Sequence, residues 1–366
     1  MKNTIGSSVA VTLFGESHGP SVGVVLDGLA PGIPVDEAFI AKMLSRRRPA
    51  GAISTARQES DPFVIESGVF DGFTTGTPVC IRIPNSDTKS KDYSQTRYLA
   101  RPSHADYTAS QKYHGYEDYR GGGHFSGRLT AALVAAGALV MPALEARGIR
   151  IGTHISRCAG VADRGFGDLE KDISALNEMD FAVLDEKAGK KMQEAILQAK
   201  ASCDSVGGVL ETVVTGLDAG LGEPWFDTVE SVLSHMLFSV PAVKGVEFGA
   251  GFAIADMRGS EANDAFTYEN GKVVTKTNNN GGINGGITNG MPVIFRTAIK
   301  PTPTIFKQQD TVDFAAMSNT VLEPKGRHDP AIIHRARAVV DAVTAITVAD
   351  MLTQRYGTDY LATKES

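Results

Sequence analysis

The chain has 366 residues, 42% hydrophobic and 21% charged, with 42 acidic against 36 basic residues and a net charge of −6. This balance excludes the broad basic surface of a nucleic-acid binder, and the hydrophobic content suffices for a packed core. Three scattered cysteines without metal-ligand spacing indicate a reducing compartment, and no stretch is typical of a signal peptide or a comfortable membrane span. We therefore expect a cytoplasmic protein without a metal or a membrane partner.

The hydrophobic pattern predicts strands and helices in mixed order. Alternation predicts strands, and apolar residues three to four positions apart predict helices. In chain order the predicted elements are strands at Ser8–Phe14 and Ser21–Asp27, a helix at Asp36–Arg46, a helix at Arg128–Arg147 ending before Gly148, a strand at Ile149–Arg157, a helix at Glu186–Ala201, a strand at Val209–Thr215, a helix at Thr228–Phe238, a strand at Val293–Ile299 and a helix at Pro330–Gln354. Regular βα alternation is missing, which favours α+β layers over a doubly wound parallel sheet.

Three long connections are predicted near residues 46–61, 85–127 and 256–290. They are rich in arginine, histidine, glycine and asparagine. Long loops in compact enzymes are more often functional than idle. No domain linker and no fixed-period repeat is visible, so a single domain over residues 1–366 is expected.

The segment Gly15-Glu16-Ser17-His18-Gly19 satisfies the Gly-x-Ser-x-Gly pattern of a hydrolase nucleophile elbow. That motif requires a strand, a sharp turn and then a helix. Here a second β-branched run follows, so the hydrolase context fails. His18 either caps a hairpin or titrates near neutral pH at a strand end.

Arginine clusters suggest an anion site. The first is Arg46-Arg47-Arg48-Pro49, and the second is Arg101-Pro102-Ser103-His104-Ala105-Asp106-Tyr107. An isolated triplet after a helix is usually a solvated C-terminus. In the second cluster His104 is equally compatible with a cap residue and with a tuned acid or base.

A glycine-rich segment precedes the Ala-rich helix, with the sequence Arg120-Gly121-Gly122-Gly123-His124-Phe125-Ser126-Gly127-Arg128. Glycines let backbone N–H groups approach a ligand, and a helix start favours phosphate or carboxylate. Ser126 can cap the helix or bind a phosphate oxygen, and Arg128 can add a bidentate contact. An anion site is favoured over a simple hinge.

Together and in this order, the segments resemble the chorismate synthase family over nearly the whole chain. The resemblance rests on the segments above and on Ala242-Val243-Lys244-Gly245-Val246-Glu247, Gly281-Gly282-Ile283, Lys300-Pro301-Thr302 and Gly326-Arg327-His328-Asp329-Pro330. It implies a β-α-α-β sandwich with helices between two antiparallel sheets. It also implies a tetramer and a place in the route to aromatic amino acids.

The resemblance implies a lyase that removes phosphate and the C6 hydrogen from 5-enolpyruvylshikimate 3-phosphate, giving chorismate, with reduced FMN and no net redox change. Its catalytic residues would be His18, protonating the departing phosphate, His104, stabilising the reduced flavin near N1, and Asp329, moving the proton at N5. The substrate-binding residues implied are Arg47, Arg48, Arg101, Ser126, Arg128 and Arg327. The FMN contacts implied are His124, Phe125, Ser126, Ala242, Gly285, Lys300, Pro301, Thr302, Pro303, Thr304 and Arg327.

The chain departs from the family pattern in places. His124 and Phe125 stand within a run that in many relatives reads Arg-Ser-Ser-Ala-Arg-Glu, and Asp341 stands where glutamate is more usual. The source of electrons stays open between NADPH and an outside reductant. The absence of a Gly-x-Gly-x-x-Gly fingerprint favours the latter.

Two rival hypotheses remain at this stage. An esterase using Ser17 would act without flavin, and a catalytically idle flavin- or phosphate-binding protein would leave the substrate intact. His154 and His235 are expected to be structural, whereas His114, His124 and His334 are undecided.

Overall fold

The computed structural model describes residues 2–49, 51–54, 60–85, 97–323 and 329–362. The helices are α1 (Glu37–Arg47), α2 (Asp106–Tyr113), α3 (Thr130–Glu145), α4 (Leu169–Leu176), α5 (Glu186–Ala201), α6 (Val229–Ser239), α7 (Gly259–Ala262) and α8 (Ile333–Tyr356). The strands are β1 (Thr4–Ile5), β2 (Ala10–Gly15), β3 (Ser21–Asp27), β4 (Val64–Ser67), β5 (Val69–Phe70), β6 (Phe73–Thr74), β7 (Val79–Pro84), β8 (Arg150–Cys158), β9 (Val161–Ala162), β10 (Gly208–Thr215), β11 (Val243–Phe248), β12 (Phe266–Glu269), β13 (Lys272–Thr275), β14 (Ile283–Asn284), β15 (Ile287–Thr288), β16 (Val293–Ile299), β17 (Gln309–Asp313) and β18 (Ser318–Leu322).

The first sheet is antiparallel, with strand order β1-β2-β3-β7-β4. Its centre is the β2–β3 hairpin, in which Thr12 pairs with Val25. Val22, Val24 and Leu26 are buried, as are Ile81 and Ile83 on β7. One face of the sheet therefore contributes a continuous apolar layer to the core.

The second sheet is also antiparallel, with strand order β11-β16-β10-β8-β9. Leu210 on β10 and Phe295 on β16 are completely buried. Both sheets thus present one apolar face, and each needs a covering layer.

Helices α3 and α8 supply that layer. The helix α3 packs on β3 and β7, α8 packs on β8 and β10, and the two helices pack on each other. Nearly every side chain of both helices is buried, as expected for helices enclosed on all sides. The order of layers is sheet, helix, helix, sheet, so the predicted β-α-α-β sandwich is confirmed.

The two central helices run parallel. Gly137 of α3 lies against the Ala342 backbone of α8, where any side chain would clash. Beyond the helix ends, Arg147 donates to the Ala362 carbonyl at 2.7 Å. The middles of the two helices are in contact, and so are the segments that follow their C-terminal ends. The N-terminal ends of α3 and α8 therefore lie at the same edge of the sandwich. Helix N-termini carry partial positive charge, so this edge favours anions.

Asp350, near the end of α8, fastens the start of the chain. Its carboxylate accepts backbone N–H bonds from Ser7 at 3.0 Å, Ser8 at 2.7 Å and Val9 at 2.8 Å. The turn before β2 is therefore attached to the last long helix.

Among the described residues, one helical stretch, Gly127–Glu145, is long and apolar enough by composition to cross a membrane. Of this apolar stretch, 83% is buried between the sheets. It is a core helix of the sandwich.

Every predicted element is present with shifted or identical bounds, and the structure adds elements that were not predicted, among them α4, β4, β7, β11 and the β17–β18 hairpin. The Ala-rich helix begins at Thr130 rather than Arg128, because Ser126 first caps a 3₁₀ turn at Gly127–Leu129. The last helix spans Ile333–Tyr356 instead of starting at Pro330. The predicted connection 256–290 contains α7 and the hairpins β12–β13 and β14–β15, whose short strands were obscured by their Gly and Asn turns.

Candidate active site

The glycine-rich segment at residues 120–125 brings two histidines together. Gly121, Gly122 and Gly123 all have positive φ, at 59°, 84° and 53°. The His18 imidazole lies against Gly121, where an added Cβ would be 2.5 Å from its Nε2. The His104 ring lies against Gly122, where an added Cβ would be 3.4 Å from its Cε1. A side chain at Gly121 would displace the His18 ring, whereas at Gly122 it is the positive φ that favours glycine.

The segment is clamped to the end of β2. Ser17 N donates to the Gly123 carbonyl at 3.1 Å, and His124 Nδ1 lies 2.8 Å from the Gly15 carbonyl oxygen. Since a carbonyl only accepts, Nδ1 of His124 carries the proton. His124 therefore holds the loop in place through this bond.

His104 is oriented by two neighbours. Arg101 NH2 lies 3.1 Å from His104 Nδ1, and Asp106 Oδ1 lies 3.3 Å from the same nitrogen. Because a guanidinium only donates, the neutral ring accepts at Nδ1 and carries its proton on Nε2. When the ring gains a second proton, Nδ1–H faces Asp106. The two contacts fix the orientation of the His104 ring.

Asp106 is an ionised carboxylate that Arg101 holds in this cluster. Arg101 binds it through Nε at 2.8 Å and NH2 at 2.6 Å. Burial alone would raise the pKa of Asp106, but hydrogen bonds and charges from Arg101 and His104 hold it well below its usual range. The Arg101 guanidinium is therefore already engaged by a carboxylate.

Lys300 joins the second sheet to this cluster. It follows β16, and its Nζ donates to the Ser103 carbonyl at 2.6 Å, next to His104. Its backbone N donates to the Ala242 carbonyl at 2.9 Å, and Ala242 holds an unusual positive φ of 76°. Burial and the nearby charge of Lys244 lower the pKa of Lys300. Ala242 and Lys300 thus lie side by side.

Thr302 and the Asp329–Pro330 pair are both held by the segment Ser205–Val206. Ser205 Oγ donates to the Thr302 carbonyl at 2.7 Å, and Val206 N donates to the Pro330 carbonyl at 2.9 Å. Thr302 Oγ1 and Asp329 Oδ1 are both buried, and neither has a hydrogen-bond partner among the described residues. Unpaired buried oxygens are rare and costly, so a polar ligand atom is the natural partner for each.

Arg47 and Arg128 meet at a buried carboxylate that the sequence did not single out. Asp61 contacts Arg47 NH2 at 3.2 Å and also pairs with Arg128 NH1. Burial raises the pKa of Asp61, but the two arginines outweigh burial and lower it overall. Arg48 donates to the Ser60 carbonyl at 3.2 Å, beside this group.

Asn85 connects the buried arginine pair to the His18 turn. Its Oδ1 accepts from Arg128 Nε at 2.9 Å. Its Nδ2 donates to the Glu16 and Gly19 carbonyls, both at 2.9 Å. These bonds place Arg128 and His18 on one connected framework.

The other predicted contact residues fall into two places. Ser126 caps the 3₁₀ turn by accepting from Arg128 N at 3.3 Å, and Phe125 lines an open pocket of ≈ 310 Å³ with His104. Pro301 is exposed, and Pro303 and Thr304 are half-buried beside Thr302. Arg327 lies outside the described residues.

Gly285 is remote from this cluster within one chain. It lies in the β14–β15 turn, and the neighbouring Gly286 carbonyl accepts from Val229 N at 2.9 Å, at the start of α6. Ala242 follows the other end of that helix. Eleven helical residues separate the two ends by about 16 Å. The predicted cofactor contacts therefore do not all converge on one point of the monomer.

The hydrolase context is absent, as predicted. Ser17 is 2% exposed and lies in the turn of the β2–β3 hairpin, not at a helix start. His154 is structural as predicted, buried between Asp163 at 2.8 Å and Glu211 at 3.0 Å.

Sequence reasoning missed Asp61, Asn85 and Ser205. Asp61 ends the arginine-rich connection, and an acidic residue that follows four arginines is the signal that could have identified it. Ser205 carries no comparable signal.

Known proteins resemble this chain in sequence and in fold. The chorismate synthase family profile matches residues 9–353. The chorismate synthase of Pyrococcus abyssi is 48% identical over 95% of this chain and 96% of its own length. That of Thermococcus gammatolerans is 48% identical over 96% and 97%. A crystal structure of chorismate synthase matches with a TM-score of 0.76 and 28% identity, over 97% of this chain and 94% of that one. The chain belongs to the chorismate synthase family, whose members are carbon–oxygen lyases that convert 5-enolpyruvylshikimate 3-phosphate to chorismate.

Proposed function

We propose that this chain performs the chorismate synthase elimination at the edge where the N-terminal ends of α3 and α8 meet the β2–β3 turn. The observation that carries the proposal is the convergence of the His18 and His104 rings on Gly121 and Gly122. Two imidazoles beside a glycine cradle supply proton transfer, and the arginines nearby supply positive charge.

FMN fits the residues present. The buried Thr302 Oγ1 and Asp329 Oδ1 need polar partners, and Lys300 offers a cation beside them. The residues that would hold FMN are His124, Phe125, Ser126, Ala242, Lys300, Pro301, Thr302, Pro303 and Thr304, with Gly285 and Arg327. When bound, reduced FMN supplies the electron density and the hydrogen acceptor that the elimination requires.

His18 protonates the departing phosphate in this proposal. Its ring is fixed against Gly121, and Asn85 anchors both ends of its turn. Protonation of the leaving group lowers the barrier because a less negative phosphate departs more easily. His104, whose ring lies beside Gly122, would stabilise negative charge near N1 of reduced FMN when the cofactor is bound.

With FMN bound, Asp329 would move the proton at flavin N5. Asp329 pairs with Arg335 through Oδ2, and its Oδ1 has no hydrogen-bond partner among the described residues. Arg47, Arg48, Arg101, Ser126, Arg128 and Arg327 neutralise the phosphate and the two carboxylates of the substrate. Arg47 and Arg128 would do so while sharing their charge with Asp61.

Gly285 reaches the same site only if another subunit completes it. We propose a homotetramer on the family resemblance, acting in the cytoplasm as a single domain without nucleic-acid or membrane partners. Within one subunit Gly285 and Ala242 lie at opposite ends of α6, which supports a site formed by residues of more than one subunit. Sedimentation of the purified protein tests this, and a monomer at assay concentration would contradict it.

An anaerobic assay tests the activity and its cofactor. Phosphate release from 5-enolpyruvylshikimate 3-phosphate is measured with dithionite-reduced FMN, with oxidised FMN and with NADPH plus FMN. We expect release with reduced FMN only, because an outside reductant is proposed. Turnover with oxidised FMN alone, or hydrolysis of simple esters without flavin, would overturn the proposal.

The histidine roles are tested by His18→Ala and His104→Ala. We expect each to lower kcat by about 100- to 10,000-fold with little change in KM, because a proton-transfer group is lost. His235→Ala, on the exposed face of α6, is the matched control. A variant that keeps wild-type kcat removes its histidine from the mechanism.

The flavin contact is tested without turnover by Thr302→Val. This change removes the unpaired hydroxyl and keeps the shape of the side chain. We expect FMN affinity, measured by flavin fluorescence, to fall by about 10-fold, the effect of one hydrogen bond. Thr267→Val on the separate β12–β13 hairpin should leave affinity unchanged, and equal affinities in both variants would refute the contact.

A further inference from the structure

A second cavity lies away from the proposed active site. It opens between α1, the C-terminal end of α3, the start of β8, the end of α4 and the middle of α8. Its volume is ≈ 390 Å³. Small-molecule pockets usually measure roughly 300–1,000 Å³, so the cavity can take a ligand.

The lining is mixed, and its apolar part is formed by Phe39 and Met43 of α1, Met141 and Leu144 of α3, and Ile149 and Ile151 at the start of β8. Met43, Leu144 and Ile149 are at most 3% exposed. A ligand needs a bulky apolar body to cover these side chains.

An incompletely paired carboxylate also lines the cavity. Asp341 of α8 is 4% exposed, and its Oδ1 accepts from Thr153 Oγ1 at 2.6 Å. Its Oδ2 forms no hydrogen bond with the described residues. The nearest cation is Arg337 Nε, at 3.4 Å, beyond ordinary hydrogen-bond length. A ligand with an ammonium group would complete this carboxylate.

Across the cavity, a guanidinium is only partly satisfied. Arg46 NH2 binds the Asn177 carbonyl, but NH1 contacts only the Met43 sulfur, at 3.4 Å. A thioether is a weak acceptor, so NH1 remains available for a carboxylate. Burial raises the pKa of Asp341 overall, while Arg337, the Thr153 hydroxyl and Arg46 act in the opposite direction, so Arg46 is close enough to interact with this carboxyl.

Most other charged groups around the opening have partners. Lys42 pairs with Glu178 at 3.2 Å, and Arg150 NH2 donates to Ser174 Oγ at 2.8 Å. Glu145 is a further carboxylate in the lining. The cavity therefore offers carboxylates for a cation, Arg46 for an anion and an apolar surface between the helices. A simple anion would be repelled by the carboxylates, and among the described residues no group of three or more His, Cys, Asp or Glu side chains could hold a metal ion.

We propose that this cavity binds a free α-amino acid with a bulky apolar side chain. The ammonium group binds Asp341, the carboxylate binds Arg46, and the side chain packs among Phe39, Met43 and Leu144. The site is separate from the elimination chemistry, although Arg46 immediately precedes Arg47. The proposal does not depend on the proposed active-site roles.

Calorimetric titration of the full-length protein tests it. The probes are L-phenylalanine and L-leucine, with 3-phenylpropionate, phenethylamine and glycine as comparators that each lack one recognised group. We expect binding of at least one amino acid probe, and binding of every comparator weaker by about 10-fold or more. No binding of either amino acid at about 10 mM, or equal binding of 3-phenylpropionate or phenethylamine, overturns the proposal.

Variants locate the binding. Arg46→Gln and Asp341→Asn should each weaken the amino acid by about 10- to 100-fold, the effect of losing one charged hydrogen-bond partner. Lys190→Gln, which breaks an exposed α5 pair with Glu186, is the matched control. Arg46 is half-exposed, so its variant is expected to fold even if buried Asp341→Asn does not. Wild-type affinity in Arg46→Gln refutes the site.

Discussion

Replacing Gly121 with alanine should disable His18 without unfolding the protein. An added Cβ would be 2.5 Å from His18 Nε2, whereas ordinary contact begins at 3.4 Å, so the ring must move by about 1 Å. A displacement of this size costs about 100-fold in rate. The same Cβ would be 3.1 Å from Ser17 Oγ, which blocks an easy retreat of the whole turn.

Gly115→Ala separates displacement from backbone strain. Gly115 has φ of 78°, against 59° for Gly121, and an added Cβ there would meet nothing within 4 Å. Both variants should lose about 1–2 kcal/mol of stability, because alanine disfavours positive φ. Urea unfolding measures that loss, and the anaerobic phosphate-release assay measures kcat. Equal kcat in the two variants would refute the argument that Gly121 exists to admit the His18 ring.

Three further perturbations follow from the buried charges. Asp106→Asn should lower the free energy of unfolding at neutral pH. The difference in unfolding free energy from wild type should disappear as the pH falls below 3.8, because the lowered pKa of Asp106 gives stability that is lost on protonation. Acid titration followed by circular dichroism measures this difference, and a difference that stays constant with pH would contradict the prediction. For His154, the hydrogen bonds of two carboxylates outweigh burial and raise its pKa, so its stabilisation is complete below pH 6.5 and is lost as the pH rises through the raised value. The Tm difference between wild type and His154→Gln should therefore shrink from pH 6 to about 9, and a difference that grows would be inconsistent with a bridging imidazolium. Asp61→Asn should cost about 3–5 kcal/mol in urea unfolding, because two buried guanidiniums lose their shared anion; a loss below about 1 kcal/mol would show that the pair is solvated.

The elements near each other in sequence were predictable because their signals are local. The β2–β3 hairpin and α1 follow from alternation, helical spacing and the Asp36 cap, which accepts from Phe39 N at 2.9 Å. The run Val79-Cys80-Ile81-Arg82-Ile83 alternates clearly, and β7 could have been predicted from it.

The pairings that build the site were not predictable, because they join distant residues. Asp61 and Arg128 are 67 positions apart, and Ser54 and His334 are 280 apart, yet Ser54 Oγ lies 2.8 Å from His334 Nε2. No local pattern specifies such contacts, which follow from the order of the layers. The family resemblance named the histidines and arginines, but only the fold shows that Asp61 already engages two of those arginines.

The attachment of residues 7–9 to Asp350 bears on how the chain is made. During synthesis the first strands leave the ribosome long before α8 exists, so the three N–H groups that Asp350 receives stay hydrated until the chain is almost finished. Contacts between such distant positions form slowly. A nascent chain interrupted before residue 350 therefore lacks the anchor for its own beginning, and completion of folding must follow release of the C-terminal helix.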